Sequence, residues 1–165
     1  MMTDLEEIKK TFNRMERNVL ILIAIPLPVF ALAYFNVTGD QVDFGLPQLP
    51  WIFNYFALAL VITLLFLQAY AFNKRVKSVR EAAPTFKEKI AAYEKATNFR
   101  FWQLFWVGLL CAFGLFFYEN PGFTVAYAVN LVFISLGKPT PYRIINALRL
   151  KGEEREMAFE INKRD

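Results

Sequence analysis

The chain has 165 residues, is 56% hydrophobic and 17% aromatic, and carries a formal net charge of +4. That length suits one soluble domain, but the composition is too apolar for an ordinary one. With no His and a single Cys, the chain lacks the ligands of the familiar zinc sites, the His pairs of membrane haem proteins and the paired thiols of disulfide carriers. Four stretches contain no Asp, Glu, Lys or Arg: Val19 to Phe35, Trp51 to Phe72, Phe101 to Tyr118 and Gly122 to Gly137. A hydrocarbon core about 30 Å thick needs roughly 17–25 helical residues.

In chain order, residues 3–17 read as an amphipathic helix. Thr3 and Glu6 have capping-box spacing, and Leu5, Ile8, Phe12 and Met15 line one face, with Lys9, Lys10, Arg14 and Arg17 largely elsewhere. Residues 19–35 form the first span, read as retained because no small-residue cleavage site follows Phe35. Pro26 and Pro28 interrupt its hydrogen bonding and predict a kink. A loop over 36–50 carries Asp40, Asp43 and the sequon Asn36-Val37-Thr38, which the bacterial look of the layout leaves unused.

The second span, 51–72, places Asn54 and Gln68 on nearly one face, and a basic loop follows. After Pro84, Thr85 and Glu88 repeat the capping box, and Phe86, Ile90, Tyr93 and Thr97 line a second amphipathic helix over 85–100. It feeds directly into the third span, 101–118. Gly108 and Ala112 form a small-xxx-small pair there, with Gly114 near, which permits close helix approach within the chain or between chains. Cys111 reads as a small packing residue. The fourth span, 122–137, is the shortest and holds Asn130 midway.

Residues 141–151 then read as an interfacial helix, with Thr140 as N-cap, Pro141 at the first position and Gly152 as the stop. Tyr142, Ile145 and Leu148 line its apolar face, widened by Ile144, while Arg143, Asn146, Arg149 and Lys151 take the other side. Two readings stand: a headgroup anchor for the fourth span, or a docking surface for another protein, with Tyr142, Arg143, Ile145, Leu148 and Arg149 as the contact residues. Trp51, Tyr55, Tyr34 and Tyr118 fit an outer aromatic belt, and Phe99, Trp102, Trp106 and Tyr70 an inner one.

All 19 basic residues fall before the first span, between the second and third, or from Lys138 onward, and the other two loops carry only Asp40, Asp43 and Glu119. Basic residues near span ends stay inside, so both termini and the central loop are expected to be cytoplasmic. Basic residues that flank spans and interleave with acids argue against nucleic acid and for the bilayer, with anionic lipid headgroups as the natural partner.

The two halves show a weak internal repeat. Thr3, Glu6, Ile8 and Phe35 match Thr85, Glu88, Ile90 and Phe117 at an offset of 82, and Arg75–Val76 match Arg143–Ile144 at 68. Duplication and chance likeness of two apolar hairpins both account for this. The segment "FKEKIAAYEKATNFRFWQLF", followed after two spans by "KPTPYRIINALRLKGEER", resembles small uncharacterised four-span inner-membrane proteins of Bacteroidota, over residues 84 to 156. That resemblance implies a bacterial inner-membrane location and this architecture; it implies no activity.

The expectation is thus an all-α integral membrane protein of four transmembrane helices in two hairpins, with cytoplasmic amphipathic helices. No catalytic, cofactor-binding or metal-binding residue is expected, and the chain is not expected to be an enzyme. Asn54, Gln68 and Asn130 are expected to hydrogen-bond between helices, or else to line a small polar cavity. The leading functional expectation is a non-catalytic accessory or scaffold subunit that binds other membrane subunits or itself. A homo-oligomeric channel or facilitator for a neutral or apolar solute is the alternative, and surface sensing by the basic helices is a third.

Overall fold

A computed structural model describes residues 2–39, 47, 49–82 and 85–161 of the chain. It is 89% helix, with no strand among the described residues. The elements are α1 (Met2–Ala24), α2 (Pro26–Thr38), α3 (Trp51–Ala82), α4 (Phe86–Tyr118), α5 (Pro121–Gly137), α6 (Pro141–Leu148) and α7 (Glu153–Glu160). Three helices are long and apolar enough to cross a membrane: Asp4–Thr38, Trp51–Ala82 and Phe86–Tyr118. The side chain of Thr3, and Asp40, Asp43, Pro84, Lys163 and Arg164, lie outside the described residues.

Local chemistry accounts for most boundaries. Pro26 and Pro28 cannot donate to the carbonyls of Leu22 and Ala24, so the ladder is interrupted at Ile25, whose own N–H still reaches the Ile21 carbonyl at 3.3 Å. The helix of the second span does not end at Phe72 but runs on to Ala82, because no Gly or Pro occurs before Pro84 to stop it. Thr85 caps α4, accepting the Glu88 N–H at 3.4 Å. That helix closes at Glu119, whose φ of 51° is left-handed and whose N–H bonds the Leu115 carbonyl at 2.9 Å. Asn120 then turns the chain, its side-chain oxygen accepting the Gly122 N–H at 2.8 Å, with Pro121 at the first helical position of α5.

Thr140 caps α6 as its sequence indicates, accepting the Arg143 N–H at 3.3 Å. The stop comes earlier than Gly152: Arg149 takes a left-handed φ of 52° and its N–H bonds the Ile145 carbonyl. The charged tail after Gly152 forms the separate helix α7.

The chain divides into two compact units. The polar unit comprises residues 1–20, 69–100 and 137–165, and the apolar unit 21–68 and 101–136. The polar unit has its own core of Ile8, Phe12, Met15, Val76, Phe86, Ile90, Tyr93, Ile144, Ile145, Leu148, Leu150, Ala158 and Ile161. Around it run cross-helix ion pairs. Arg14 makes a two-pronged contact with Glu94, 2.8 Å on each arm. Lys89 meets Glu154 at 2.8 Å and Lys87 pairs with Glu7. Arg80 Nε donates at 2.6 Å to the Ala147 carbonyl, near the end of α6 where unpaired carbonyls collect.

The apolar unit is built differently. Val61, Leu104, Val107, Cys111 and Phe123 are buried in it, and Phe30 stacks on Tyr127 with ring centres 3.8 Å apart. Among the described residues, the large apolar side chains left exposed all belong to this unit except Leu20, Tyr70, Phe99, Tyr142 and Phe159.

Burial repeats between the halves. Ile8, Phe12, Met15, Val19, Pro26, Phe30 and Ala33 are buried, and so are Ile90, Glu94, Thr97, Phe101, Gly108, Ala112 and Leu115, each 82 positions on. In the second hairpins, Val76 and Ile144 share the polar core at an offset of 68. Two helices of the same period keep their buried faces in step at any offset that aligns one turn, so duplication and the shared period of two amphipathic helices both account for this agreement.

Candidate interaction surfaces

Three neutral polar residues of the apolar unit face inward. Asn54, Gln68 and Asn130 are all 0% exposed. Asn54 Oδ1 accepts from Asn120 Nδ2 at 3.1 Å, tying α3 to the turn before α5. Asn130 Nδ2 donates to the Leu104 carbonyl at 3.2 Å, tying α5 to α4. Gln68 Nε2 donates to the Leu65 carbonyl of its own helix at 3.0 Å. A bond between helices in hydrocarbon is worth about 0.6–2 kcal/mol, so Asn54 and Asn130 qualify, whereas Gln68 bonds within α3. Two atoms of this set have no hydrogen-bond partner, Asn54 Nδ2 and Asn130 Oδ1.

The small residues of the third span are occupied from within the chain. A Cβ on Gly108 would lie 2.8 Å from Pro26 Cβ, and one on Gly114 would meet the Phe123 ring. Ala112 is buried at 1%. Of the two contacts their spacing allows, the described structure therefore forms the internal one. Pro26 and Gly108 stand 82 positions apart, the offset of the sequence likeness, so the close contact of α2 with α4 joins two positions that share it. One surface of the unit stays grooved: Phe53, Phe56 and Leu60 of α3 and Leu110, Phe113 and Phe117 of α4 line an apolar trough of about 280 Å³.

In the polar unit the residues expected on an interfacial surface split into two groups. Ile145 and Leu148, with Ile144, are buried in the unit's own core, so the apolar face of α6 is covered by this chain. Tyr142 is 65% exposed, Arg149 is exposed, and Arg143 is half-buried with its Nη1 3.4 Å from the Lys138 carbonyl. The face that sequence periodicity offers to a bilayer or a partner is instead the face that folds the unit.

Sequence reading missed two features here. Glu94 lies on the buried stripe with Ile90 and Tyr93 and is only 6% exposed. Its place at a core-facing helical position was the available signal, since a buried carboxylate needs a cation. The hydrogen bond to Glu94, and secondarily its charge, hold the Arg14 guanidinium above its ordinary value, and Glu7 acts on Lys87 in the same way. The second feature is a pair of arginine–ring contacts between α3 and α4. The Arg75 guanidinium carbon sits 3.9 Å from the Phe99 ring centre and that of Arg100 4.9 Å from the Phe72 ring centre. In the same unit, the exposed side of α1 forms a shallow, mostly cationic trough of about 500 Å³ among Glu6, Lys9, Lys10, Asn13, Arg14 and Arg17.

Comparison with protein-family models, with curated proteins and with solved structures finds no match to this chain.

Proposed function

We propose that this chain is a non-catalytic accessory or scaffold subunit of a larger membrane assembly. In this reading four spans, the three long apolar helices and α5, form two hairpins in a bacterial inner membrane. The polar unit and both termini face the cytoplasm, as the distribution of Lys and Arg argues. One observation carries the reading: the polar side chains that a solute path would use in the apolar unit are fully buried and hydrogen-bonded within the chain. The chain also folds an ion-paired polar unit whose outer surface bears Lys10, Arg17, Tyr142 and Arg149. A scaffold needs a membrane part and a presented surface, and the long apolar helices and the exposed cations support that reading. Its partners are the bilayer, other membrane subunits or further copies of itself.

The test is native electrophoresis with mass spectrometry on tagged protein, extracted from its own membrane in mild detergent. Stoichiometric co-migration with unrelated membrane subunits is expected. A partner-free homo-oligomer overturns the proposal.

A second reading, a homo-oligomeric channel for a neutral or apolar solute, is favoured by the unpartnered Asn54 Nδ2 and Asn130 Oδ1. Replacing Asn54, Gln68 and Asn130 by Leu separates the two. Loss of solute flux with assembly intact supports the channel, and loss of assembly identifies the three residues as internal struts.

A further inference from the structure

The helix α1 presents two faces in the polar unit. Ile8, Phe12, Met15 and Val19 are buried, which turns the opposite side outward. That side carries Lys10, Asn13, Arg17 and Leu20, all exposed and spaced as one stripe of helical period. The first three line the shallow trough of about 500 Å³ on this helix. Its other cations are engaged: Arg14 holds Glu94 through two contacts of 2.8 Å, and Lys9 has a partner as well. Lys10 and Arg17 form no ion pair among the described residues, and Glu6 is the one acid lining the trough. The stripe thus offers two cations and an amide, followed by an apolar side chain.

We propose that Arg17 and Asn13 hold the phosphate of an anionic phospholipid, with Lys10 at the outer edge of its headgroup and Leu20 beside the start of its acyl chains. The order of residues along the helix carries this. Arg17 stands just before the charge-free stretch that opens at Val19, which in a bilayer puts it at the hydrocarbon boundary. At about 1.5 Å per residue, Asn13 lies about 6 Å and Lys10 about 10 Å further out along the axis, and headgroups occupy roughly 5–8 Å beyond the hydrocarbon. Helical side chains lean toward the N-terminus, so the Arg17 guanidinium reaches back toward Asn13. Its planar fork matches the paired oxygens of a phosphate. Lys10 falls where a zwitterionic headgroup would place its own cation, so like-charge repulsion selects a headgroup that has none. An acidic protein segment would also answer Lys10 and Arg17, but it gives no reason for the stripe to end in Leu20 at the charge-free boundary. The inference rests on the chain lying in a membrane and holds for a subunit or a channel alike.

The test uses the full chain in mild detergent and native mass spectrometry, titrated with phosphatidylglycerol, phosphatidylcholine or soluble glycerol phosphate. Phosphatidylglycerol is expected to bind in preference to phosphatidylcholine, to resist displacement by glycerol phosphate and to weaken as salt is raised. Arg17→Gln is expected to weaken both lipids, phosphatidylglycerol by roughly fivefold or more. Lys10→Gln is expected to act differently, narrowing the preference for phosphatidylglycerol over phosphatidylcholine. Lys151→Gln removes an exposed cation outside α1 and is expected to change neither lipid. Because Lys10 and Arg17 are exposed, neither variant disturbs the core. Unchanged lipid binding in Arg17→Gln, no preference for the anionic lipid, or displacement by glycerol phosphate would each overturn the proposal; the last would assign the stripe to a soluble phosphate. An acidic protein lost from the native complex in Arg17→Gln, with lipid binding unchanged, would assign it to a protein partner instead. Alkaline carbonate washing of membranes tests the bilayer reading separately: release of the chain overturns it, and the proposal with it, whereas a retained chain without lipid preference overturns the proposal alone.

Discussion

The polar and apolar units use the same element, the α-helix, under opposite rules. In the polar unit apolar side chains converge on Phe12, Ile90 and Leu148 and charges ring the outside, the arrangement water imposes. In the apolar unit the large apolar residues are left outside, as at Leu32 (72% exposed) and Phe66 (73%), while Asn54 and Asn130 are fully inside. Hydrocarbon offers no gain for burying Leu against Leu, so such a unit is held by close contact and internal hydrogen bonds. The same substitution should therefore have different effects in the two units.

Truncating the polar core gives the largest expected effect. Phe12→Ala, at a site 2% exposed, should cost about 3–5 kcal/mol, read as a fall in the unfolding midpoint. Leu32→Ala on the apolar unit's exterior should leave that midpoint nearly unchanged. Equal losses would mean that both units are held by apolar burial and would break the contrast.

Next comes the close approach of α2 and α4. Gly108→Val drives a side chain into Pro26 and should cost about 1–3 kcal/mol by overpacking, again read from the unfolding midpoint. Ala128→Val, at an exposed position of α5, is the comparison for a β-branched residue entering a helix without a neighbour to meet. A tolerant Gly108 would show that the seam does not hold the apolar unit.

The Arg14–Glu94 pair tests the polar unit's electrostatics. Arg14→Ala strands a carboxylate that is buried, whereas Glu94→Gln leaves an exposed guanidinium that water can solvate. Arg14→Ala should thus destabilise more, with thermal unfolding of both variants as the readout. The reverse order would mean that Glu94 is not held in the core.

Smaller effects sharpen the picture. Glu119 and Arg149 close their helices in the left-handed region, so Glu119→Gly and Arg149→Gly should each stabilise by about 1 kcal/mol. The pKa shifts on Arg14 and Lys87 are upward. Their stabilising contribution is complete below the unfolded-state value, 10.5 for Lys87, and is lost only as pH rises through the raised one. Stability should therefore not change through these pairs between about pH 6 and 9, and a melting series in that range checks it.

The sequence alone determined where helices begin and which stretches avoid charge, because both are local. Thr140 and Thr85 cap their helices, Pro26 interrupts one, and the runs from Trp51 to Phe72 and Phe101 to Tyr118 carry no Asp, Glu, Lys or Arg. Tertiary structure decided what each face meets. Periodicity shows that α6 has an apolar face, but the affinity of that face for a bilayer, a partner or the chain's own core depends on what the fold brings near, and it brought Phe12, Ile90 and Val76. The small-residue pair at Gly108 and Ala112 left inner and outer contacts equally open until Pro26 filled the place. Glu94 gained its partner from 80 residues away, a separation at which no local pattern in sequence specifies a contact.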